Sequence, residues 1–388
     1  MIAYTDYRFD ARVRREAETL VGAGFQVVCI TPRVPETPNR FVLDGVQIRT
    51  VPVGKYQGDR TSRYIGSYLK FLCLSGMVCS RLSLTKEVKA FHVHNLPDFL
   101  VFAALLPRLI GKKVVLDIHD SVPETFVTKF PDAGPFVVKC LRWEERVSTL
   151  LAHRVICVNH PQQAALVQRG LRPGKSFVSM NVPDSRLFPA RSPTVRSGSD
   201  PAFRLVYHGT MARRLGVDLI IQAAARLKSR IPGVEVHLWG PGDDVSHFQA
   251  LAGQLSMNGV VRFEPQGFHL HELASRLTAM HVGVVGNRRN AATDLMLPVK
   301  LLEYVALGIP VVAPRLPAIE NYFDDGMLTY FEPENVDSMA DSIFSLYADP
   351  KAARKRASRA QEFLRTYGWE RQGPALVDFY TELIGGTN

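Results

Sequence analysis

Apolar positions along the chain fall into short continuous runs separated by stretches of helical periodicity, the pattern of buried parallel strands alternating with helices. The runs FQVVCIT (25–31), VQIRTVPV (46–53), FHVHN (91–95), VVLDIHD (114–120) and HRVICVN (153–159) read as strands of a first unit. FRLVYH (203–208), VEVHLWG (234–240), VVRFEP (260–265), HVGVV (281–285) and IPVVA (309–313) read as strands of a second. Asp10 can cap a helix over 11–22 whose inward residues are Val13, Ala17, Leu20 and Val21, with Gly24 ending it. Further helices are expected over 97–109, from Pro123, over 143–151, after Gly216, and over 336–347 and 350–367. Residues 186–202, RLFPARSPTVRSGSDPA, have no periodicity and read as a linker. The expected organisation is therefore an N-terminal α/β domain over 1–185, the linker, a C-terminal α/β domain over 203–370, and a last helix over 371–388 returning to the first domain.

The most informative stretch is 293–313, TDLMLPVKLLEYVALGIPVVA. Pro298 suits the start of a helix and Gly308 the left-handed residue that ends one. The apolar residues between them leave Lys300 and Glu303 three apart, close enough to address one partner, with Asp294 just upstream. A loop entering a helix N-terminus offers unpaired N–H groups and partial positive charge, which suits a diphosphate. Gly209 and Gly216 bracket a turn holding Arg213 and Arg214, a second arrangement fit for phosphate. In the first unit, His92, His94 and Asn95 end one strand and Asp117 and His119 the next, at the edge where open parallel sheets bind ligands. His92, His94 and Asp117 have the chemistry of zinc ligands, but no metal-ligand spacing supports that reading.

LPVKLLEYVALGIPVVA resembles the donor-binding segment of glycosyltransferase family 4, retaining enzymes that carry LPxKxxEYxAxGxPVV there. DARVRREAETLVGAGFQVVCITP resembles the opening of the same enzymes, where the positions of Asp10 and Arg12 line an interdomain cleft. The resemblance implies a GT-B fold, two Rossmann-like domains facing across a cleft, the second holding a nucleotide-sugar and the first an acceptor. It places His119 against the donor sugar and Glu303 on the nucleotide ribose; His94 and Asn95, at the neighbouring strand end, are expected with Asp10 and Arg12 on the acceptor side of the cleft. Gly240, in a turn GPGDD that resembles the family's GxGxx, belongs to the donor site, and Gln266 and Gly267 fall where the base is bound by backbone atoms. Two departures stand out. The family's GRLxxxKG has Thr210 and Leu215 in place of its Arg and Lys, leaving the diphosphate to Arg214, then Arg213. Leu295 stands where many members have a second acid, with Asp294 one residue earlier. Catalytic roles thus pass to His119, Arg214 and Glu303, and donor binding to those residues with Arg213, Lys300, Asp294, Gly240, Gln266 and Gly267. No Asp-x-Asp motif occurs, so neither metal nor cofactor is expected.

Charge adds a partner. Residues 1–200 hold 28 Lys and Arg against 17 Asp and Glu, a balance of +11, whereas 201–388 hold 19 against 20, or −1. The basic excess of the first half points to an anionic partner. Residues 64–84 are apolar but cut by Lys70 and Arg81 and flanked by Lys55, Arg60, Arg63, Lys86 and Lys89. That is too interrupted for a span; it reads as a helix packed on the sheet or one lying in a membrane interface. Five cysteines without a CxxC pair read as reduced core residues, and the N-terminus lacks the form of a signal peptide. IAYT reads as the end of a first strand that is usually longer in the family. The expected setting is cytoplasmic, peripheral on an anionic membrane, with a glycan or lipid-linked acceptor and no nucleic acid. Two rivals remain: a non-hydrolysing nucleotide-sugar 2-epimerase on the same scaffold, and a non-enzymatic basic binding protein.

Overall fold

A computed structural model describes residues 1–35, 37–54, 61–130, 132–193 and 202–385. The chain divides into two compact units, Met1–Asn181 with Glu370–Asn388, and Val182–Trp369.

In the first unit the strands are β1 (Val28–Pro32), β2 (Arg40–Leu43), β3 (Val46–Val51), β4 (Ala90–His94), β5 (Lys113–Ile118), β6 (Arg154–Cys157) and β7 (Ser176–Val178). β1 pairs with β3, and β4 to β7 follow in order, all parallel; β2 alone is antiparallel, at the edge beside β3. Ile2 bridges Ile30 and Val93 and so joins the two sets into one sheet. Asp10 caps the Ala11–Gly22 helix, its side chain accepting from the Val13 N–H. Ile2, Ile30, Phe71, Val93, Leu116, Val155 and Cys157 belong to one buried cluster. The helix expected over 97–109 is instead a tight 3-10 segment, Asp98–Ala104, running into a short α-helix, Leu105–Leu109. The Trp369–Gly385 helix packs on this unit, Phe379 stacking on Phe177 and Tyr380 bonding His92.

The second unit has β8 (Phe203–His208), β9 (Val234–Trp239), β10 (Val261–Glu264), β11 (Val282–Val284), β12 (Val311–Pro314) and β13 (Thr329–Phe331). All are parallel, in the order β10-β9-β8-β11-β12-β13. Counted from β8 this is 3-2-1-4-5-6, the doubly wound order whose ligands lie beyond the carboxyl ends of the strands where the order reverses. In the helix expected after Gly216, the apolar residues Leu219, Ile220, Ala223, Ala224 and Leu227 are all buried in its core. Part of the expected linker is not free. The Arg191 N–H donates to the Ala306 carbonyl (3.0 Å), and Gln361 donates to the Arg191 carbonyl (2.7 Å), so residues 186–193 run along this unit. The rest of the linker, 194–201, and the cations Lys55 and Arg60 lie outside the described residues. Of the five cysteines, Cys29, Cys79 and Cys157 are buried, whereas Cys73 and Cys140 are exposed on helices rather than in the core.

Candidate functional site

Beyond the ends of β8, β9, β10 and β11 in the second unit lies a pocket of about 450 Å³. His208 and Trp239 are the last residues of β8 and β9, and Gln266 and Gly267 follow β10. Close backbone approach builds the floor: a Cβ on Gly240 would sit 2.4 Å from the Gly209 carbonyl oxygen, so only glycine fits, and Gly240 has φ +126°. Its N–H donates to the Glu264 carbonyl (2.9 Å), as does that of Gly267 (2.9 Å). Trp239 meets Phe268 edge-on at 5.0 Å, giving the pocket an aromatic wall.

The Val299–Ala306 helix enters this pocket by its N-terminus. Its charges do not face water. Glu303 is 8% exposed and accepts from His208 Nε2 at 2.5 Å, while His208 Nδ1 lies 2.9 Å from the Tyr304 hydroxyl. Lys300 Nζ is buried without a hydrogen-bond partner and lies 3.6 Å from the centre of the Tyr207 ring. Burial pushes the ammonium down to about 7, against a weaker upward pull from Glu303. A buried cation resting on an aromatic face, with no oxygen bound, is disposed to take an anion. Asn287, 1% exposed, also lines the pocket with its Oδ1 unpartnered. Sequence reasoning missed His208, Asn287 and Trp239, although each directly follows or ends an apolar run, where the chain leaves the sheet.

Lys300, Glu303, Gly240, Gln266 and Gly267 are thus brought together. Three others are not among the pocket's lining. Arg213 pairs with Asp244 (3.5 Å) and is exposed. Arg214 is exposed, with no ion pair among the described residues. Asp294 faces Arg289 at 3.6 Å, and burial raises its carboxyl pKa.

In the first unit the strand-end residues form a buried charge network. Arg12 donates from Nε and Nη2 to the two oxygens of Asp117 (2.9 and 2.8 Å), from Nη1 to the Ser179 carbonyl (2.8 Å), and pairs with Glu16 at 3.0 Å. Asp117 Oδ2 also meets His94 Nδ1 (3.1 Å) and His119 Nε2 (2.9 Å). Burial alone would raise the Asp117 carboxyl, but Arg12 and then His119 hold it well below the carboxylate range. Burial lowers His94; His119 is raised, because Asp117 outweighs its desolvation. Asn95 ties the turn together, donating to Asp98 (2.7 Å) and the Asp120 carbonyl (2.8 Å) and accepting the His119 N–H (2.7 Å).

This corrects the expectation for the acceptor side. Arg12, His94 and Asn95 are 3%, 1% and 7% exposed, with their polar groups largely engaged internally, so they support the edge rather than line it. Asp10 caps its helix. His119, its side chain 22% exposed, is the member that reaches the surface. Glu16, His92, His94 and Asp117 offer ligand atoms within 4.8 Å of one another, but Arg12 already engages both Asp117 oxygens and one of Glu16. The cluster therefore reads as an ion network around a guanidinium.

Known proteins share this architecture. Residues 10–180 match the glycosyl transferase 4-like domain and residues 202–349 the glycosyl transferases group 1 model, together most of the chain. An alpha-D-kanosaminyltransferase of Streptomyces kanamyceticus is 24% identical over 394 residues, covering 96% of this chain and 98% of that protein. A GDP-mannose-dependent phosphatidylinositol monomannoside mannosyltransferase of Mycolicibacterium smegmatis is 29% identical over 177 residues, 45% of each chain. Among solved structures, sucrose-phosphate synthase of Thermosynechococcus elongatus superposes with a TM-score of 0.77 at 19% identity, covering 97% of this chain and 93% of that one. Anabaena HepE in complex with UDP and glucose superposes with a TM-score of 0.71 at 15% identity over 98% of both. The reading as a non-enzymatic binding protein falls here: the chain belongs to the group 1, family-4-like glycosyltransferases of the GT-B fold.

Proposed function

We propose that the protein transfers a hexose from a nucleoside-diphosphate donor to an acceptor hydroxyl, with retention at the anomeric carbon. The observation that carries this is Lys300, a buried ammonium without an oxygen partner, beside Glu303 in a pocket at the switch point of a 3-2-1-4-5-6 sheet. The diphosphate takes Lys300 and the N-terminus of the Val299–Ala306 helix, the ribose takes Glu303, and the base lies against Trp239 and the backbone of Gln266 and Gly267. The chemical demand is charge on the departing diphosphate, which Lys300, Arg214 and helix N–H groups meet, while a phosphate oxygen takes the acceptor's proton. His119 acts on the transferred sugar. Because fixed cations supply the stabilisation, chelator is expected to leave the rate unchanged. Incubation with a panel of nucleotide sugars, with and without EDTA, followed by mass spectrometry and NMR of the product, tests this. A glycosylated acceptor of retained configuration in both arms is expected. An altered donor without acceptor use would favour the 2-epimerase, and activity lost in EDTA and restored by manganese would sink the charge argument.

The Lys300 environment makes a second expectation. An anionic ligand must raise a pKa held near 7, so binding above that pH draws a proton from solvent and weakens as pH rises. Calorimetry of nucleotide binding at pH 8 in buffers of different ionisation enthalpy should register uptake approaching one proton; zero uptake would mean that Lys300 does not meet the diphosphate.

We also propose that the first unit docks on an anionic membrane and meets a lipid-linked acceptor there, as part of glycan or glycolipid synthesis. Among the described residues, fifteen of sixteen exposed large hydrophobic residues lie in this unit, the exception being Leu270. Many fall on neighbouring helices: Ile65, Leu69 and Met77 on Thr61–Ser83, Leu105, Leu106 and Leu109 on the segment packed beside it, and Phe136 and Trp143 on Pro135–Leu151. Phe71 and Cys79 of the Thr61–Ser83 helix are core, so one side of it packs on the unit, while the exposed Ile65, Leu69 and Met77 support the interfacial reading of the rest. Among the described residues no helix is long and apolar enough to cross a membrane.

A further inference from the structure

A second cavity, of about 610 Å³, opens in the first unit where the Pro135–Leu151 and His160–Gln168 helices end and β6 and β7 begin. Arg108, Arg146, Arg169, Arg172 and Lys175 line it, with Glu145 its one lining acid. Arg169 is already matched, pairing with Glu124 (2.5 Å) and Glu145 (3.0 Å). The remaining four cations have no carboxylate partner among the described residues. Lys175 donates only to the Thr149 and Leu150 carbonyls (2.7 and 3.1 Å), and Arg108 Nη1 lies 3.0 Å from His153 Nε2. Arg146 and Arg172 are exposed. His153 cannot add to the charge: its Nδ1 accepts the Val114 N–H (3.0 Å), and burial, then Arg108, Lys113 and Lys175, lowers it to about 4. Lys175 is itself pushed down to about 8, by burial and then by Arg108 and Arg172. Four cations lining one cavity with no carboxylate paired to them repel one another, and an anion bound among them relieves that repulsion.

We propose that this pocket binds a phosphate group, with the forked donors of Arg146 and Arg172 taking its oxygens. It is separate from the strand-end network of His94, Asp117 and His119. It lies at the amino ends of β5, β6 and β7, whereas that network lies at the carboxyl ends, and the six residues of β5 span roughly 20 Å. The phosphate is that of a phospholipid headgroup: Leu150, 55% exposed, lines the pocket, and Trp143 and Phe136 precede it at steps of seven residues on one face of the same helix. This lipid source rests on the membrane reading above; the phosphate pocket does not.

The two separate experimentally. Arg146→Gln/Arg172→Gln is the pocket variant, and Lys139→Gln/Arg142→Gln, exposed on the same helix, the control. In the soluble arm, glycerol 3-phosphate is titrated against the full chain and followed by thermal unfolding. In the membrane arm, co-sedimentation compares phosphatidylcholine vesicles containing phosphatidic acid with others containing phosphatidylglycerol at matched surface charge. Wild type and control should prefer phosphatidic acid, and the pocket variant should lose that preference. Removing two cations should also weaken its binding overall by about thirtyfold. A soluble shift lost in the pocket variant, without vesicle binding by wild type, would keep the phosphate pocket, assign it to a free phosphate, and sink the membrane reading. If neither arm distinguishes the pocket variant from the control, the pocket is no phosphate site, whatever the vesicles show.

Discussion

Glu303→Gln is expected to cut transfer at least tenfold while the protein stays folded. The substitution keeps size and leaves an oxygen for His208, which Glu303 now holds at 2.5 Å, but removes the charge that a ribose hydroxyl or a bound donor would read. Hydrogen bonds to charged groups contribute roughly 1.5–3 kcal/mol, which sets the tenfold floor. Glu303→Ala is a poorer probe, because Glu303 is 8% exposed and its loss would strand His208. Lys300→Met should do more, about a hundredfold or greater in kcat, the usual cost of deleting one donor that meets developing charge. Methionine is of similar length and can rest its thioether end on the Tyr207 ring where the ammonium now lies, so folding should survive. Arg214→Ala is the control on the second cation; near-native turnover there, with Lys300→Met inactive, would assign the diphosphate to Lys300 alone. Circular dichroism and steady-state rates on the three variants check the set.

Arg12→Leu should be the most destabilising single change in the first unit, by about 3–5 kcal/mol, because it leaves Asp117 and Glu16 buried and uncompensated. The pH dependence follows from the network. Asp117 is held below its ordinary value, so its contribution is present above the unfolded carboxylate pKa near 4 and is lost as pH falls through the lower folded value. Urea midpoints measured across acid pH should therefore fall steeply for wild type and less steeply for Arg12→Leu. Equal stability of the two proteins at pH 7 would mean that the ion network is not what holds the strand ends together.

Ten strands and the Lys300–Glu303 helix were legible in the sequence because each is a short apolar run punctuated by Gly or Pro. Val311–Pro314 and Val299–Ala306 show this directly. β7 and β13, three residues each, are too short to show a pattern. What periodicity does not carry is the partner of a polar side chain. Arg12 and His94 sit at plausible site positions, yet Asp117, 105 residues from Arg12, consumes them. The pairing depends on β5 lying beside β4, which no local pattern states. Likewise His208 is an unremarkable strand end until β8 sits against the Val299–Ala306 helix. The edge hairpin strand β2 was missed because RFVL is half exposed and reads as loop. Charge counted over each half did anticipate the basic first unit, though not that five of its cations would share one pocket.

The central claim is that the pocket around Lys300 holds a nucleoside-diphosphate sugar. Thermal unfolding of wild type and Lys300→Met, each titrated with the same panel of nucleotide sugars, tests it most directly. One donor at a hundred times its Kd should stabilise wild type by about 2.7 kcal/mol, and the variant by far less at the same concentration. If no nucleotide sugar shifts wild type, or if Lys300→Met shifts equally, the pocket is not the donor site.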